Sequence, residues 1–329
     1  MNDNLHVLIT GAAGMIGQKL IVRLAREPRI GGKPIERVTL VDIDEPAAPK
    51  GAPFKVNTRT GDLSLPGEAM AAVADSPQMI FHLAGVVSGE AETDFEKGYR
   101  VNIDGTRFLF DAIRQREYKP RVVFTSSAAV YGGPFEGPVS DDFHLTPHSS
   151  YGAAKVIGEQ LLADYSRRGF FDGVGIRLPA ITVRPGKPNK AASGFFSSII
   201  REPLAGQNAM LPVDDKTLHS HASPRVVIGY LLHAATLDTE NLDLRPNLMM
   251  PAVACTIAEQ IEALRKVAGD KAVARISRVR DTLVERIVAG WPHEFEAKRA
   301  LALGFVPDKD FDEIVAIHVE DELSGEVAA

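Results

Sequence analysis

Cysteine is almost missing from this 329-residue chain: Cys255 stands alone, so neither an intrachain disulfide nor a cysteine-rich metal site can form. That usage suits a reducing compartment. An excess of positive charge is missing too. Lys and Arg number 37 against 43 Asp and Glu, a formal net charge of −6, and no dense basic cluster breaks the balance, which argues against a nucleic-acid partner. No apolar run approaches the ~18 residues of a membrane span, and Met1 to His6 has neither the basic nor the apolar region of a secretory signal. The expectation is a cytoplasmic protein without a membrane partner. Internal repeats and low-complexity stretches are also absent. What is present is an ordinary globular composition, 45% hydrophobic and 24% charged, long enough for one large domain or two lobes.

Short β-branched runs alternate with amphipathic stretches through roughly the first half. Leu5–Thr10, Val38–Asp42, Phe54–Asn57, Met79–Leu83, Val122–Ser126 and Val174–Leu178 each read as a nearly unbroken apolar run, as strands covered on both faces do. Helical spacing fills Met15–Arg26, Phe95–Gln115 and Tyr151–Arg168. The alternation predicts an α/β fold, a Rossmann-type doubly wound parallel sheet. After Pro179 the pattern loosens into a Pro-, Lys- and Gly-rich segment over 181–193, with further helices predicted at Pro224–Ala235, Glu259–Val267, Asp281–Ala289 and Glu294–Leu303. The expected division is a sheet domain over 1–178, to which 224–254 returns, and a smaller carboxy-terminal lobe woven from 179–223 and 255–320.

Gly11-Ala-Ala-Gly14-Met15-Ile16-Gly17 follows the first strand and opens the first helix. A chain that must turn tightly, approach a pyrophosphate with its backbone and pack a helix closely on a strand needs small residues at such positions. The helix start then offers unpaired N–H groups and a positive dipole end to phosphate. Strand before and helix after make a common glycine triplet into a dinucleotide-binding signature. Asp42 closes the second strand, where its carboxylate can accept from the adenosine ribose and repel an added phosphate, favouring NAD over NADP. It lies beyond the usual ~20-residue spacing because Pro28-Arg-Ile-Gly-Gly-Lys-Pro34 is inserted before it. Asp62, after the third strand, is placed to flank the adenine, although Gly-Asp is also a common turn.

Tyr151-Gly-Ala-Ala-Lys155 begins a predicted helix, so phenol and ammonium project from one face. A free tyrosine, with a pKa near ~10, is a poor base at neutral pH; a neighbouring cation favours its phenolate. Ser127, at the carboxyl end of the fifth strand, reaches the crevice where ligands of such sheets bind. A Tyr-x-x-x-Lys pair alone is commonly a surface accident. Its order downstream of the glycine turn and the Ser127 strand makes coincidence a poor explanation.

Taken in order, these motifs resemble the extended short-chain dehydrogenase/reductase family, which includes nucleotide-sugar epimerases and dehydratases. The resemblance covers about Leu5 to Pro185 well and the rest loosely. It implies that Tyr151 is the general base, that Lys155 binds the cofactor ribose and lowers the pKa of Tyr151, and that Ser127 polarises the substrate. It places Met15 and Ile16 in the phosphate turn, and His82-Leu83-Ala84-Gly85 along the cofactor. Asn102 matches the asparagine of the family's central helix. A homodimer through the helices bearing Asn102 and Tyr151 is a further implication.

The departures narrow the chemistry. Ser127-Ala128-Ala129 stands where the dehydratases usually carry Thr-Asp-Glu, so no acid pair protonates a leaving hydroxyl. Arg177-Leu-Pro-Ala180 lacks the amide that commonly holds a nucleotide diphosphate, and Ser220-His-Ala-Ser-Pro-Arg225 replaces the usual Asp-Asp. A buried diphosphate needs dedicated donors. What remains is a compact basic set, Arg184-Pro-Gly-Lys187-Pro-Asn189 and Ser223-Pro-Arg225, and arginine forks pair with carboxylates. This pattern resembles a sugar-acid-oxidising branch of the family. It implies that Arg184, Asn189 and Arg225 meet a four-carbon sugar acid whose 2-hydroxyl, between Ser127 and Tyr151, is oxidised with NAD and without a metal. His219 and His221 read as polar lining rather than a metal pair. Two other readings stand beside this one: a UDP-sugar 4-epimerase that retains its NAD and uses the same Tyr151, and a non-catalytic cofactor sensor, disfavoured because such proteins typically lose the Tyr/Lys pair.

Overall fold

The computed structural model describes residues 4–186, 193–242 and 244–328. Eight strands form the main sheet: β1 (Leu5–Thr10), β2 (Arg29–Ile30), β3 (Lys33–Asp42), β4 (Lys55–Thr60), β5 (Met79–His82), β6 (Arg121–Ser127), β7 (Asp172–Leu178) and β8 (Asn247–Met249). Their order is β8-β7-β6-β5-β1-β3-β2, with β4 also paired to β3. β1 lies parallel to both β3 and β5, β4 runs parallel to β3, and β6 runs parallel to β5. All residues of β1 and β5 are buried, as their unbroken apolar runs require. The chain winds outward from β1 through β3 to β4, then returns to β5 on the other side of β1. The carboxyl ends of β1 and β5 therefore send their connections apart, which opens the crevice where ligands of such sheets bind.

Three local readings need correction. The insertion at 28–34 is a hairpin: β2 pairs antiparallel with the start of β3, through Gly31 and Gly32 at φ +57° and +78°. Two successive positive φ values suit the tight turn that matches strand twist, and they extend β3 back to Lys33. Phe95–Gln115 is not one helix. It runs as a short helix Phe95–Tyr99, a π-helical turn Arg100–Asp104 and then α2 (Gly105–Gln115). Glu294–Leu303 carries a strand, Phe295–Glu296, and a short helix, Lys298–Ala302, because Phe295–Glu296 pairs with Val139–Ser140. Two helices of the sheet unit lie where their apolar spacing predicts, α1 (Met15–Arg26) and α3 (Ser150–Arg167). The Ser149 hydroxyl caps α3 by accepting from the Gly152 N–H at 3.0 Å. α3 packs closely on β6, since a Cβ at Gly158 would stand 2.7 Å from the Phe124 ring.

The chain divides into two compact units. One holds residues up to Val130, Ser149–Arg177 and Ile228–Leu248; the other holds Tyr131–His148, Leu178–Val227 and the chain from Met249 onward. Residues 131–148 thus part from the sheet domain that the sequence assigns them to, because the Val139–Ser140 strand and its Val139 N–H, 2.8 Å from the Glu294 carbonyl, tie them to the second unit. The returning segment is shorter than 224–254, since Val253–Thr256 pairs antiparallel with Leu218–Ala222. The second unit has its own apolar core, built from helices Gly194–Leu204, Ile257–Val273 and Phe311–Glu322 with Phe196, Ile200, Ile261, Leu264 and Ile314.

His219 and His221 are buried in that second unit. His219 stacks on Phe196 with centroids 4.8 Å apart, and the His221 ring lies 3.0 Å from the Thr182 hydroxyl and 2.9 Å from the Gln260 amide nitrogen. Burial pushes His219 down to about 3 and His221 well below its ordinary value. In the sheet unit, burial and then the Lys155 charge push His82 down to about 3. All three are neutral when folded, whereas the unfolded chain takes up their protons below its ordinary value of 6.5. The unfolded state therefore binds more protons in that window. Unfolding free energy should fall as pH drops below about 6.5, by at most ~1.4 kcal/mol per pH unit for each histidine. Urea melts at pH 7 and pH 5 check this, and His219→Phe should make the loss shallower. Equal stability at both pH values would contradict the burial of neutral imidazoles.

Candidate active site

The turn after β1 and the segment after β5 meet at backbone distance. Gly11 has φ +73°, and a Cβ there would lie 2.6 Å from the Ala84 nitrogen and 2.7 Å from the Leu83 carbonyl carbon. No other residue fits both the left-handed conformation and the contact. At Gly17 a Cβ would fall 2.5 Å from the Gly11 oxygen, so the first turn of α1 is equally tight. Gly14 stands at the N-cap of α1 with no side-chain cap, and the helix start, Met15-Ile16-Gly17, follows it. The structure thus brings Gly11, Gly14, Met15, Ile16 and Gly17 into one cradle at the helix start, with Leu83 and Ala84 so close that Gly11 has no room for a side chain. That cradle fits the pyrophosphate of a dinucleotide.

Asp42 and Asn102 brace these segments. Asp42 accepts from the Ala13 N–H at 2.8 Å and the Ile43 N–H at 2.7 Å, tying the end of β3 to the glycine turn. Asp62 accepts from the Ser64 N–H at 2.9 Å, from the Ser64 hydroxyl at 2.5 Å and from Arg100 at 2.7 Å, while Arg100 also meets Ser64. Partial burial pushes the Asp62 carboxyl up, but Ser64 and Arg100 outweigh it and hold it below the usual range. Asn102 is buried on the π turn and clamps Val86 twice, accepting from its N–H at 2.9 Å and donating to its carbonyl at 3.2 Å. His82 spans from Thr10 to Thr106, with ring nitrogens 2.7 and 3.0 Å from their hydroxyls. The end of β1, the end of β5 and α2 are locked together by that one imidazole.

On α3, Tyr151 is half-buried and Lys155 is 6% exposed. The Lys155 ammonium donates to the Thr125 carbonyl at 2.8 Å and sits 5.6 Å from the Tyr151 ring centre and 5.0 Å from that of Phe124. Burial pushes Lys155 down to about 8, and Glu159 opposes that fall. Ser127 closes β6, its hydroxyl accepting from the Ala129 N–H at 3.1 Å as the chain turns away. Ser127, Tyr151 and Lys155 therefore belong to one unit and to adjoining elements, β6 and α3. A cation beside a phenol favours the phenolate, which is the form needed to accept a proton.

The basic residues expected at the substrate fare differently. Arg225 is half-buried and engaged: it donates to Asp321 at 2.6 and 3.2 Å and to Glu320 at 2.9 Å. A guanidinium paired with two carboxylates is a poor partner for a third, so the carboxylate-binding role read from the sequence is not supported at Arg225. Its neighbour Ser223 is likewise structural, donating through N–H and hydroxyl to the buried Asp308 at 2.7 and 2.6 Å. Arg184 is oriented by bonds to the Ile181 carbonyl at 2.9 Å and the Ser193 hydroxyl at 3.1 Å. Lys187 and Asn189 lie outside the described residues. Sequence reasoning missed Thr10, Thr106, Ser126, Glu159 and Arg177. A charge at Glu159, on the helix face shared with Lys155, was the available signal.

The chain matches the NAD dependent epimerase/dehydratase family over residues 7–220, more than half its length. It is similar to the D-erythronate dehydrogenase of Cupriavidus necator, 47% identical over 96% of this chain and 98% of the relative. It is also similar to the D-erythronate dehydrogenase of Haemophilus influenzae, 36% identical over 97% of this chain and all of the relative. Among solved structures it resembles one described as a nucleoside-diphosphate-sugar epimerase from Agrobacterium tumefaciens, with TM-score 0.96 and 57% identity, covering 99% of this chain and 96% of that one. No helix among the described residues is long and apolar enough to cross a membrane. With a glycine cradle, a Tyr151–Lys155 face and full-length relatives named as dehydrogenases, the chain is an NAD-dependent oxidoreductase acting on CH–OH groups and belongs to the epimerase/dehydratase family of extended short-chain dehydrogenases/reductases.

Proposed function

We propose that the chain oxidises the 2-hydroxyl of a short sugar acid, D-erythronate to 2-oxo-tetronate. The observation that carries the reading is the Lys155 ammonium, fixed to the Thr125 carbonyl at 2.8 Å beside the Tyr151 ring. The two full-length relatives named D-erythronate dehydrogenases support the choice of substrate. NAD, when bound, supplies the hydride acceptor. Gly11, Gly14, Met15, Ile16 and Gly17 would hold its phosphates, Asp42 its adenosine ribose and Asp62 its adenine. Leu83, Ala84 and Asn102 would line the stretch toward Tyr151 and Lys155.

Tyr151 acts as the base, its phenolate oxygen taking the proton of the 2-hydroxyl as that carbon becomes a carbonyl. Lys155 keeps the phenolate favoured by charge, and Ser127 donates to the substrate oxygen. Positioning and charge complementarity of these groups lower the barrier. With Arg225 engaged by two acids, Arg184 is the arginine we assign to the substrate carboxylate, with Asn189 beside it in the sequence. Pairing of two copies through the helices of Asn102 and Tyr151 belongs to the same reading. The similar Agrobacterium tumefaciens structure is described as a nucleoside-diphosphate-sugar epimerase, which keeps a second reading, 4-epimerisation of a UDP-sugar, beside the first. The two part on net NADH, which accumulates in the first and not in the second. Purified protein incubated with NAD and either aldonic acids or UDP-sugars decides between them.

Tyr151→Phe removes only the hydroxyl and should lower kcat by ~10²–10⁴-fold while NAD affinity stays near wild type. A variant keeping more than about a tenth of wild-type turnover would exclude Tyr151 as the base. Asp42→Ala should weaken NAD binding, measured by calorimetry, and narrow the preference over NADP; wild-type enzyme that uses NADP equally well would overturn that assignment. Arg184→Ala should cost ~1.5–3 kcal/mol on D-erythronate, roughly a ten- to hundredfold loss in kcat/KM. An uncharged polyol of the same length should lose far less. Equal losses on both substrates would make Arg184 a support of the fold.

A further inference from the structure

Glu159 lies one helical turn beyond Lys155 on α3 and is fully buried, at 0% exposure. A carboxylate so far from water must be paired and hydrogen-bonded. Its Oε1 accepts from the Ser126 hydroxyl at 2.5 Å and from Arg177 Nε at 2.9 Å, and its Oε2 accepts from Arg177 at 2.7 Å. Its backbone carbonyl receives the Asn247 amide at 3.2 Å. One residue of α3 is therefore tied to β6, β7 and β8, three neighbouring strands. Lys155 makes its own bond to β6 at Thr125, the residue before Ser126. Two oppositely charged side chains, a turn apart on one helix face, thus hold consecutive residues of the strand end, and Ser127 is the next residue along.

We propose that Glu159 is a positioning residue for Lys155: its buried carboxylate keeps the lysine an ammonium and pins the strand end whose Thr125 carbonyl receives it. The proposal rests on the Tyr151–Lys155 reading above and adds to it the group that maintains the pair. The groups facing Lys155 are Tyr151 and Glu159 from α3, Phe124 and Thr125 from β6, His82 from β5 and, beside Gly85, Asn102 from the π turn. Arg177, from β7, acts through Glu159. Burial favours the neutral amine, His82 is itself neutral, and Glu159 favours the ammonium.

The test follows the Lys155 ionisation directly, by ¹³Cε-lysine NMR of the whole chain without substrate, the signal being assigned by its loss in Lys155→Met. Lys155 should titrate near 8 in the wild type. Glu159→Gln should lower the midpoint by ~0.5 pH unit or more, about a threefold change in the ionisation constant, and Glu159→Asp should recover most of it. Glu159→Gln leaves Arg177 buried without its partner. If that variant does not fold, Glu159→Gln with Arg177→Gln is compared with Arg177→Gln alone and should titrate lower by a similar margin, because loss of the guanidinium by itself favours the ammonium. A folded Glu159→Gln that titrates within ~0.2 of wild type, or a double variant within ~0.2 of Arg177→Gln, overturns the proposal. The readout needs no substrate, so a wild type that ignores aldonic acids would remove the sugar-acid reading and leave this result standing.

Discussion

Two backbones touch where β1 and β5 end, and that contact is possible only because Gly11 has no side chain. The first connection leaves β1 in a left-handed conformation and runs against Leu83 and Ala84. Three side chains keep the two connections at that distance. His82 fixes the strand ends to α2 through two threonine hydroxyls, and Asn102 clamps the next segment by its own backbone at Val86. Asp42 approaches from the far side and secures the turn itself. A cradle assembled this way is preorganised, so little ordering remains to be done when a dinucleotide arrives.

Buried ionisable groups are held in two ways. In the sheet unit, α3 buries a lysine and a glutamate within one turn of each other and supplies the glutamate with an arginine from β7. Such burial is costly for stability, yet it places an ammonium next to a phenol in a medium of low polarity, where its influence is strongest. In the second unit the buried histidines are neutral and packed on aromatic rings, as His219 is on Phe196. Its arginines are oriented by neighbours: Arg184 by Ile181 and Ser193, Arg225 by Glu320 and Asp321.

Much of the sheet was legible because a strand covered on both faces must be apolar throughout, and a phosphate turn must be small at fixed offsets. Gly11 could be placed in that turn, and Tyr151 and Lys155 on one helix face, from spacing alone. What escaped was set by partners distant in sequence. Residues 131–148 fall within the sheet domain by sequence position until Val139–Ser140 finds Phe295–Glu296 more than a hundred residues on. Arg225 reads as a ready anion site because nothing local reveals that helix Phe311–Glu322 presents two acids to it. The hairpin at 28–34 was visible as an insertion, and its two glycines were the sign of its turn. Glu159 went unread because nothing local shows that Ser126 and Arg177 pair with it.

The π turn at Arg100–Asp104 amounts to one residue inserted into an otherwise continuous helical segment. A single insertion changes the phase of the helix by ~100°. Residues on either side of it consequently address directions that an unbroken helix could not serve together. Asn102 turns to Val86, while Thr106, four residues on, turns to His82 and also donates to the Asn102 carbonyl. Deleting one residue from 100–104 would restore ideal helical geometry and at the same stroke swing one of these side chains out of reach. The segment from Phe95 to Gln115 is therefore out of phase by necessity, and its length is as much a part of its specification as its residue types are.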